Sequence, residues 1–423
     1  MQFPRRLCRC LGAALALGAA LPSAATPANP ELAEAQILDE RALVAQVLDR
    51  NPGLAALRAA AEAAARRSAA AGALDDPLLS YANAPPTLDS GLDQRVEVSQ
   101  QFPWPGTLDA RKAVARYAAA AAEQDLAALK LEVVAQARSA HAQWRFVHDA
   151  LDIHHATRAL LDELIATTAT SYAAGRALKQ DLLQAQVERA GLANEELRLR
   201  RMQTTVQALI NALLNRSPDA PLPPAAPMGP VPAPPAFDEL KALALARHPE
   251  LERLDARVSA NRSRVTLAEK AFYPDFRLGV GYNSLWDEPD KRPVFALTVN
   301  LPLDRGKRRA ELNAARADTS AARWERARRR AELLAELARA RAEVVEAGQS
   351  VRLYEDELVP LADEYLGSAL ADYRSGTGAF LNVIDAEKRK LATELALART
   401  RADYAARLAE LERATGVLPG ERP

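Results

Sequence analysis

The chain has 423 residues, with 55 basic against 55 acidic side chains and aromatic residues at only 5%. The length suffices for two or three ordinary domains, but a composition led by Ala, Leu, Glu and Arg is that of long helices rather than of an enzyme core. The balanced charge excludes the basic surplus that nucleic-acid binding needs, so no nucleic-acid partner is expected.

Residues 1–25 read as an export signal. Arg5, Arg6 and Arg9 precede the apolar segment LGAALALGAAL (11–21), and Ser23-Ala24-Ala25 supplies the small residues of a cleavage site. An apolar core of about 11 residues is too short to span a bilayer. The mature chain is expected to begin near Thr26. Cys8 and Cys10 would leave with the signal, which removes disulfide and thiol chemistry. With no cysteine just after the apolar core, no lipid anchor is expected. No later stretch reaches 18 continuous apolar residues, so no transmembrane helix is expected either.

Next comes a helix over roughly 38–73, in which Pro52 marks a kink or an end. Two short strands follow, LLSYANA (78–84) and QRVEVSQQF (94–102). The segment FPWPG (102–106) then closes the ladder. Pro103 and Pro105 have no N–H to donate, Gly106 permits a sharp redirection, and Phe102 and Trp104 sit where interfacial aromatics belong. Residues 107–174 contain no Gly and no Pro. They predict one helix of about 100 Å. Leu126, Leu129, Val133, Ala137, Ala140, Trp144, Val147 and Leu151 recur at spacings of three and four, a coiled-coil seam that admits small residues. A return helix is predicted over about 179–215.

The chain then repeats itself. Asn51-Pro52 recurs as His248-Pro249, 197 residues on, and Pro77 as Pro274 at the same offset. Pro103 matches Pro302 and Gly106 matches Gly306, while SYAAGRALKQDLLQAQ (171–186) answers DYRSGTGAFLNVIDAE (372–387) at offset 201. Landmarks in one order at a nearly constant offset indicate duplication. The domain plan is therefore 26–216 as a first repeat, 217–236 as a linker with nine prolines in 20 residues, and 237–423 as a second repeat. The second repeat predicts a helix over 237–271, then strands in which Phe276, Leu278, Val280 and Tyr282, and after the turn WDEPDKRP Phe295, Leu297, Val299 and Leu301, alternate with their neighbours. Long helices are predicted over about 307–374 and 379–415. The basic run RWERARRR (323–330) reads as a solvated face with i,i+4 partners.

The fold class is thus mainly α with a small β part, in a duplicated helix–strand–strand–long helix–helix plan. Four strands cannot close a barrel, and open edges are not tolerated in lipid. If the strands span a membrane, several chains must pool them.

At this point the duplicated plan and the turn segments YAAGRALKQDLL (172–183) and YRSGTGAFLNVIDA (373–386) carry a resemblance. From about residue 38 to 416 the chain resembles the TolC-like outer-membrane efflux channels. The resemblance implies a homotrimer in the bacterial outer membrane, with a 12-stranded β-barrel in the lipid continued by a long periplasmic α-helical barrel. It implies a passive exit duct that docks to a periplasmic adaptor (membrane fusion) protein and an inner-membrane RND-type pump. FPWPG followed by a long helix is similar to the heavy-metal branch, which serves copper/silver or cobalt/zinc/cadmium pumps. The family's adaptor-contact tips fall on Ala174, Gly175 and Arg176 and on Ser375, Gly376 and Thr377. Its paired constriction acids fall on Asn382 and Asp385, so one acid per chain remains and a trimer would hold a ring of three carboxylates. Its closed-state lock falls on Tyr373 and Asp181, while the arginine of that lock is replaced by Gly378.

His141, His148 and His155 lie seven apart on one helix face. His148, Asp152 and His155 are the nearest approach to a metal set, against the reading of a polar stripe. No metal site and no cofactor are expected. No nucleotide loop, His-Glu zinc motif or Ser/His/Asp grouping occurs, and no catalytic residue is expected. The competing class is a periplasmic structural coiled coil or an adaptor, neither of which accounts for four alternating strands placed alike in two halves.

Overall fold

The computed structural model describes residues 37–84, 93–175, 177–229, 231–284 and 288–417. The expected export segment, the expected start near Thr26 and Arg176 lie outside the described residues.

The first half contains α1 (Glu40–Arg50), α2 (Pro52–Ala70), β1 (Leu78–Ala84), β2 (Asp93–Phe102), α3 (Thr107–Ala173) and α4 (Lys179–Leu213). The second repeats that order as α5 (Phe237–Arg247), α6 (Pro249–Lys270), β3 (Asp275–Asn283), β4 (Pro293–Asn300), α7 (Arg305–Leu353), α8 (Val359–Ser375) and α9 (Phe380–Thr415). Each opening helix is divided at its proline. A residue before proline is driven out of the α region, and Asn51 and His248 both take extended backbone with ψ 121°. Each then caps the next helix. Asn51 Oδ1 accepts from the N–H groups of Gly53 and Leu54 at 3.0 and 3.3 Å, and His248 Nδ1 accepts from that of Glu250 at 3.3 Å.

The long helix of the first half runs unbroken for 67 residues. Its counterpart does not, which departs from the single helix expected over 307–374. A π turn, Tyr354–Leu358, separates α7 from α8. Pro360 gives the physical reason. Without an N–H it cannot continue the helical ladder, and its ring crowds the carbonyl four residues back. One wider turn absorbs both defects.

Two equivalent cores form where the opening helices meet the long ones. In the first, Leu43 and Val47 of α1 and Leu54 of α2 pack on Val133, Ala137, Ala140 and Trp144 of α3 and Ile210 of α4. In the second, Leu240 and Ala244 of α5 and Leu251 of α6 pack on Leu333, Leu337 and Val344 of α7 and Leu411 of α9. The seam foreseen on α3 is therefore the buried face. The proline-rich crossing is pinned along these cores, because Trp144 Nε1 donates to the carbonyl of Pro223 at 2.9 Å and Tyr404 Oη to that of Pro232 at 2.6 Å. A third core joins the α3–α4 hairpin to the α8–α9 hairpin through Leu161, Leu164, Ala185, Leu366, Phe380 and Val383.

The basic run on α7 differs from expectation. Arg328 does make an i,i+4 pair with Glu332 at 2.5 Å. Arg326 instead reaches Asp255 of α6 at 2.8 Å, and Arg329, its side chain 17% exposed, joins Glu250 of α6 to Glu336. The run clasps two helices rather than only facing water.

Candidate functional site

The four strands form one antiparallel sheet in the order β1-β2-β3-β4. Register sorts its side chains into two faces. Residues directly opposite share a face, and Tyr81 pairs with Val96, Val96 with Tyr282, Val98 with Val280, Val280 with Phe295, and Leu278 with Leu297. One face is thus an apolar field of Leu79, Tyr81, Val96, Val98, Leu278, Val280, Phe295 and Leu297, interrupted by Gln100 opposite Leu278, and nothing among the described residues covers it. Leu79 is 71% exposed, Leu297 65% and Phe295 83%. The other face carries Ser80, Arg95, Glu97, Ser99, Arg277, Gly279, Gly281 and Thr298. Arg95 pairs with Glu97 at 2.8 Å, and Arg277 donates to Gln101 at 3.2 Å. Gly281 lies so close to β2 that a Cβ there would stand 2.5 Å from the carbonyl oxygen of Val96. Among the described residues no further strand pairs with β1 or β4, so each presents a free edge.

The FPWPG corner couples the two halves. Gly106 adopts φ 85°, which only glycine takes without strain. Trp104 stacks on Tyr273 with centroids 4.7 Å apart, stands 6.1 Å from Phe276, and donates its backbone N–H to Asp275 at 3.0 Å. The corner that ends β2 is thus seated on the turn that starts β3.

At the opposite end of α3 lie the hairpin tips. Ala174, Gly175, Ser375, Gly376 and Thr377 are all exposed. Gly175 and Gly376 adopt φ 70° and 78°, which reverses the chain in few residues. The second tip is tied down by Asp372, whose carbonyl accepts from Thr377 and Gly378 at 3.0 and 2.9 Å. A Cβ at Gly378 would stand 2.8 Å from that of Asp372, so the turn leaves no room for the arginine that the resemblance places there.

The candidate gate residues are each engaged within their own hairpin. Asp181 accepts from the N–H of Leu178 at the start of α4, at 3.3 Å. Tyr373 meets Phe380 edge to face at 5.3 Å. Asn382 is exposed on the first turn of α9. Asp385 accepts from Arg389 Nε at 2.9 Å and from Tyr365 Oη at 3.3 Å, and chiefly the Arg389 bond holds its carboxyl below the usual range.

The histidines do not converge. His141 is buried and donates to the carbonyl of Leu38 at 2.9 Å, His148 donates to that of Trp144 at 2.8 Å, and His155 stands 3.9 Å from Glu196. Asp152 is not brought to His148 and His155 as a metal set, and no group of three or more potential ligands is clustered among the described residues. Sequence reasoning missed His154 and Glu387, which are 3% and 4% exposed. Neither ring nitrogen of His154 has a partner, nor does Glu387 Oε2. Periodicity gave no signal for Glu387, because it is buried against the α3–α4 hairpin, about 200 residues away in the chain.

Known proteins match this arrangement. Residues 240–417 match the family model described as outer membrane efflux protein. Among solved structures, the outer membrane protein VceC of Vibrio cholerae superposes with TM-score 0.75 at 20% identity, over 89% of this chain and 96% of that one. CusC, described in connection with transmembrane channel formation, gives 0.76 at 16% identity over 92% and 95%. The open state of the MtrE outer membrane channel of Neisseria gonorrhoeae gives 0.76 at 18% over 89% and 88%. No curated protein matches by sequence. Residues 240–417, within the second repeat, thus carry the match to the outer membrane efflux protein family, and both repeats share the fold of outer-membrane channels of known structure.

Proposed function

We propose that this protein is the passive exit duct of a tripartite efflux system, working as a homotrimer with a periplasmic adaptor and an inner-membrane RND-type pump that supplies the energy. The observation that carries this reading is the sheet. It has one predominantly apolar, uncovered face and one face that carries its charged groups. Its strands of about eight residues reach roughly 26 Å, the height of the apolar band of an outer-membrane barrel. Two free edges in lipid would leave backbone groups unsatisfied at several kcal/mol each. Pairing β4 of one chain with β1 of the next removes them, and three chains supply 12 strands. The polar face then lines the lumen. A coiled coil or adaptor leaves the apolar face without a purpose.

The finer parts of the proposal follow the same frame. Residues 1–25 are the export signal, 217–236 the crossing between repeats, and the exposed tips the adaptor contact, with Arg176 joining Ala174 and Gly175 there. Asp385, Asn382, Asp181 and Tyr373 lie near the periplasmic mouth and form its gate. The cargo is heavy-metal cations, a reading supported by the FPWPG corner and compatible with CusC among the similar folds.

Fractionation and conductance test this. The protein should leave the outer membrane only with detergent and should form conducting pores in planar bilayers. A deletion strain should lose tolerance to metal cations before tolerance to organic toxicants. Release by salt alone, without conductance, would return the coiled-coil reading.

A further inference from the structure

Between the α3–α4 and α8–α9 hairpins lies a cavity of about 110 Å³. It is lined by Thr157 and Leu161 of α3, Glu188 and Leu192 of α4, and Ile384 and Glu387 of α9. Glu387 is 4% exposed, and its Oε2 has no partner. Across the cavity the Thr157 hydroxyl faces it and favours its ionised form. An ionised carboxylate wants several donors, and a buried one without them is strongly disfavoured. A proton satisfies it instead.

We infer that this cavity is a proton-binding site, and that Glu387 holds a proton while the two hairpins are closed on each other and loses it as they part. The cavity is roomy enough for water. Ionisation therefore draws water into the seam, and parting the hairpins is what admits it. The π turn and Pro360 set α8 off from α7, while α9 runs unbroken from the cavity into the second core.

The surrounding charges leave Glu387 as the group without a counter-ion. On α4, Glu188 is paired with Lys388 of α9 at 2.6 Å. On α9, Lys390 lies between Asp363 of α8 at 2.6 Å and Glu394 at 3.6 Å. On α3, His154 stands one turn before Thr157, and burial lowers its pKa despite Glu195 and Glu196, which favours the neutral ring. Burial likewise raises the Glu387 carboxyl, against the Thr157 bond and Lys390. A raised carboxyl favours the closed form below its own pKa and loses that preference as pH rises through it.

The inference rests on the channel reading for its consequence, a pH-dependent mouth, but its test does not require conductance. Amide hydrogen exchange over residues 380–391 is measured on the full-length protein in detergent from pH 5 to 8. The readout is the ratio of wild type to Glu387→Gln at each pH, which cancels intrinsic exchange. That ratio should climb by up to about tenfold per pH unit between the ordinary carboxyl pKa of the open form and the raised pKa of the closed form, and level off above the latter. Thr157→Val removes a group that favours the carboxylate in the closed form, so its rise should continue to higher pH before levelling off than in wild type. This second variant stands even if Glu387→Gln folds poorly. A ratio that stays flat, a Thr157→Val plateau that does not move to higher pH, or a pH dependence that survives in Glu387→Gln but vanishes in His154→Gln would overturn the proposal. A rising ratio in a protein that never conducts would leave the proton site intact and sink the channel reading alone.

Discussion

His248 stands at the start of α6 where Asn51 stands at the start of α2, and the two solve one problem with different chemistry. His248 is buried, its Nδ1 must be unprotonated to accept from Glu250, and burial pushes its pKa down to about 4. Glu250 opposes that shift, while Arg329 and Arg413 add to it. The folded pKa lies below the ordinary value of 6.5, so this stability is complete above pH 6.5 and is lost as pH falls toward 4. The loss amounts to roughly 3 kcal/mol. His248→Asn copies the cap already used at Asn51 and should remove this part of the acid sensitivity. Thermal midpoints at pH 7 and pH 4.5 check it, and an unchanged difference between them would count against the cap. At the tip, Asp385→Asn leaves Arg389 without its acid. In planar bilayers the pore should lose cation preference and divalent block, whereas Asn382→Asp should increase both. Unaltered selectivity in both variants would make Asp385 an ordinary solvated pair with Arg389.

Among the elements, the strands make the sharpest claim. Leu297 and Thr298 are neighbours in β4 on opposite faces of the sheet. Leu297→Arg puts a charge on the uncovered apolar face, which costs about 2–4 kcal/mol at the bilayer midplane. Thr298→Arg puts the same charge among polar groups. The first variant should fall sharply in heat-modifiable, membrane-inserted protein on gels, and the second should insert normally. Equal insertion would mean that the apolar face does not meet lipid. The alternation of β3 and β4 was plain in the sequence, as were the proline-bounded corner and the long helix α3. The faces of β1 and β2 were not, since Gln100 interrupts the alternation and only pairing with β3 assigns them. The break after Leu353 was also unread. Pro360 was visible, but helical periodicity on both sides hid how the backbone accommodates it.

For the whole molecule, duplication was the most legible property, because offsets between landmarks survive when side chains diverge. What stayed hidden was how the halves lock. The Trp104 corner stacks across the repeat boundary, and Arg138 of α3 joins Glu40 at 2.6 Å while also pairing with Glu412 of α9. Such contacts depend on residues 98 or more positions apart, which no local pattern encodes. The free edges of β1 and β4 predict that the inserted species is trimeric. Mass measurement in mild detergent should find three chains, and an inserted monomer would exclude the pooled barrel. The π turn before α8 has a mechanical consequence. From that joint to the tip, α8 is 17 residues long. A lever arm of about 25 Å turns a rotation of about 10° into a displacement of about 4 Å at the tip. The α3–α4 hairpin has no such joint among its described residues and would be the fixed jaw of the proposed mouth. An aperture built from one fixed and one pivoting jaw per chain widens in uneven steps around its rim, so its cross-section would pass from round to three-lobed as it opens.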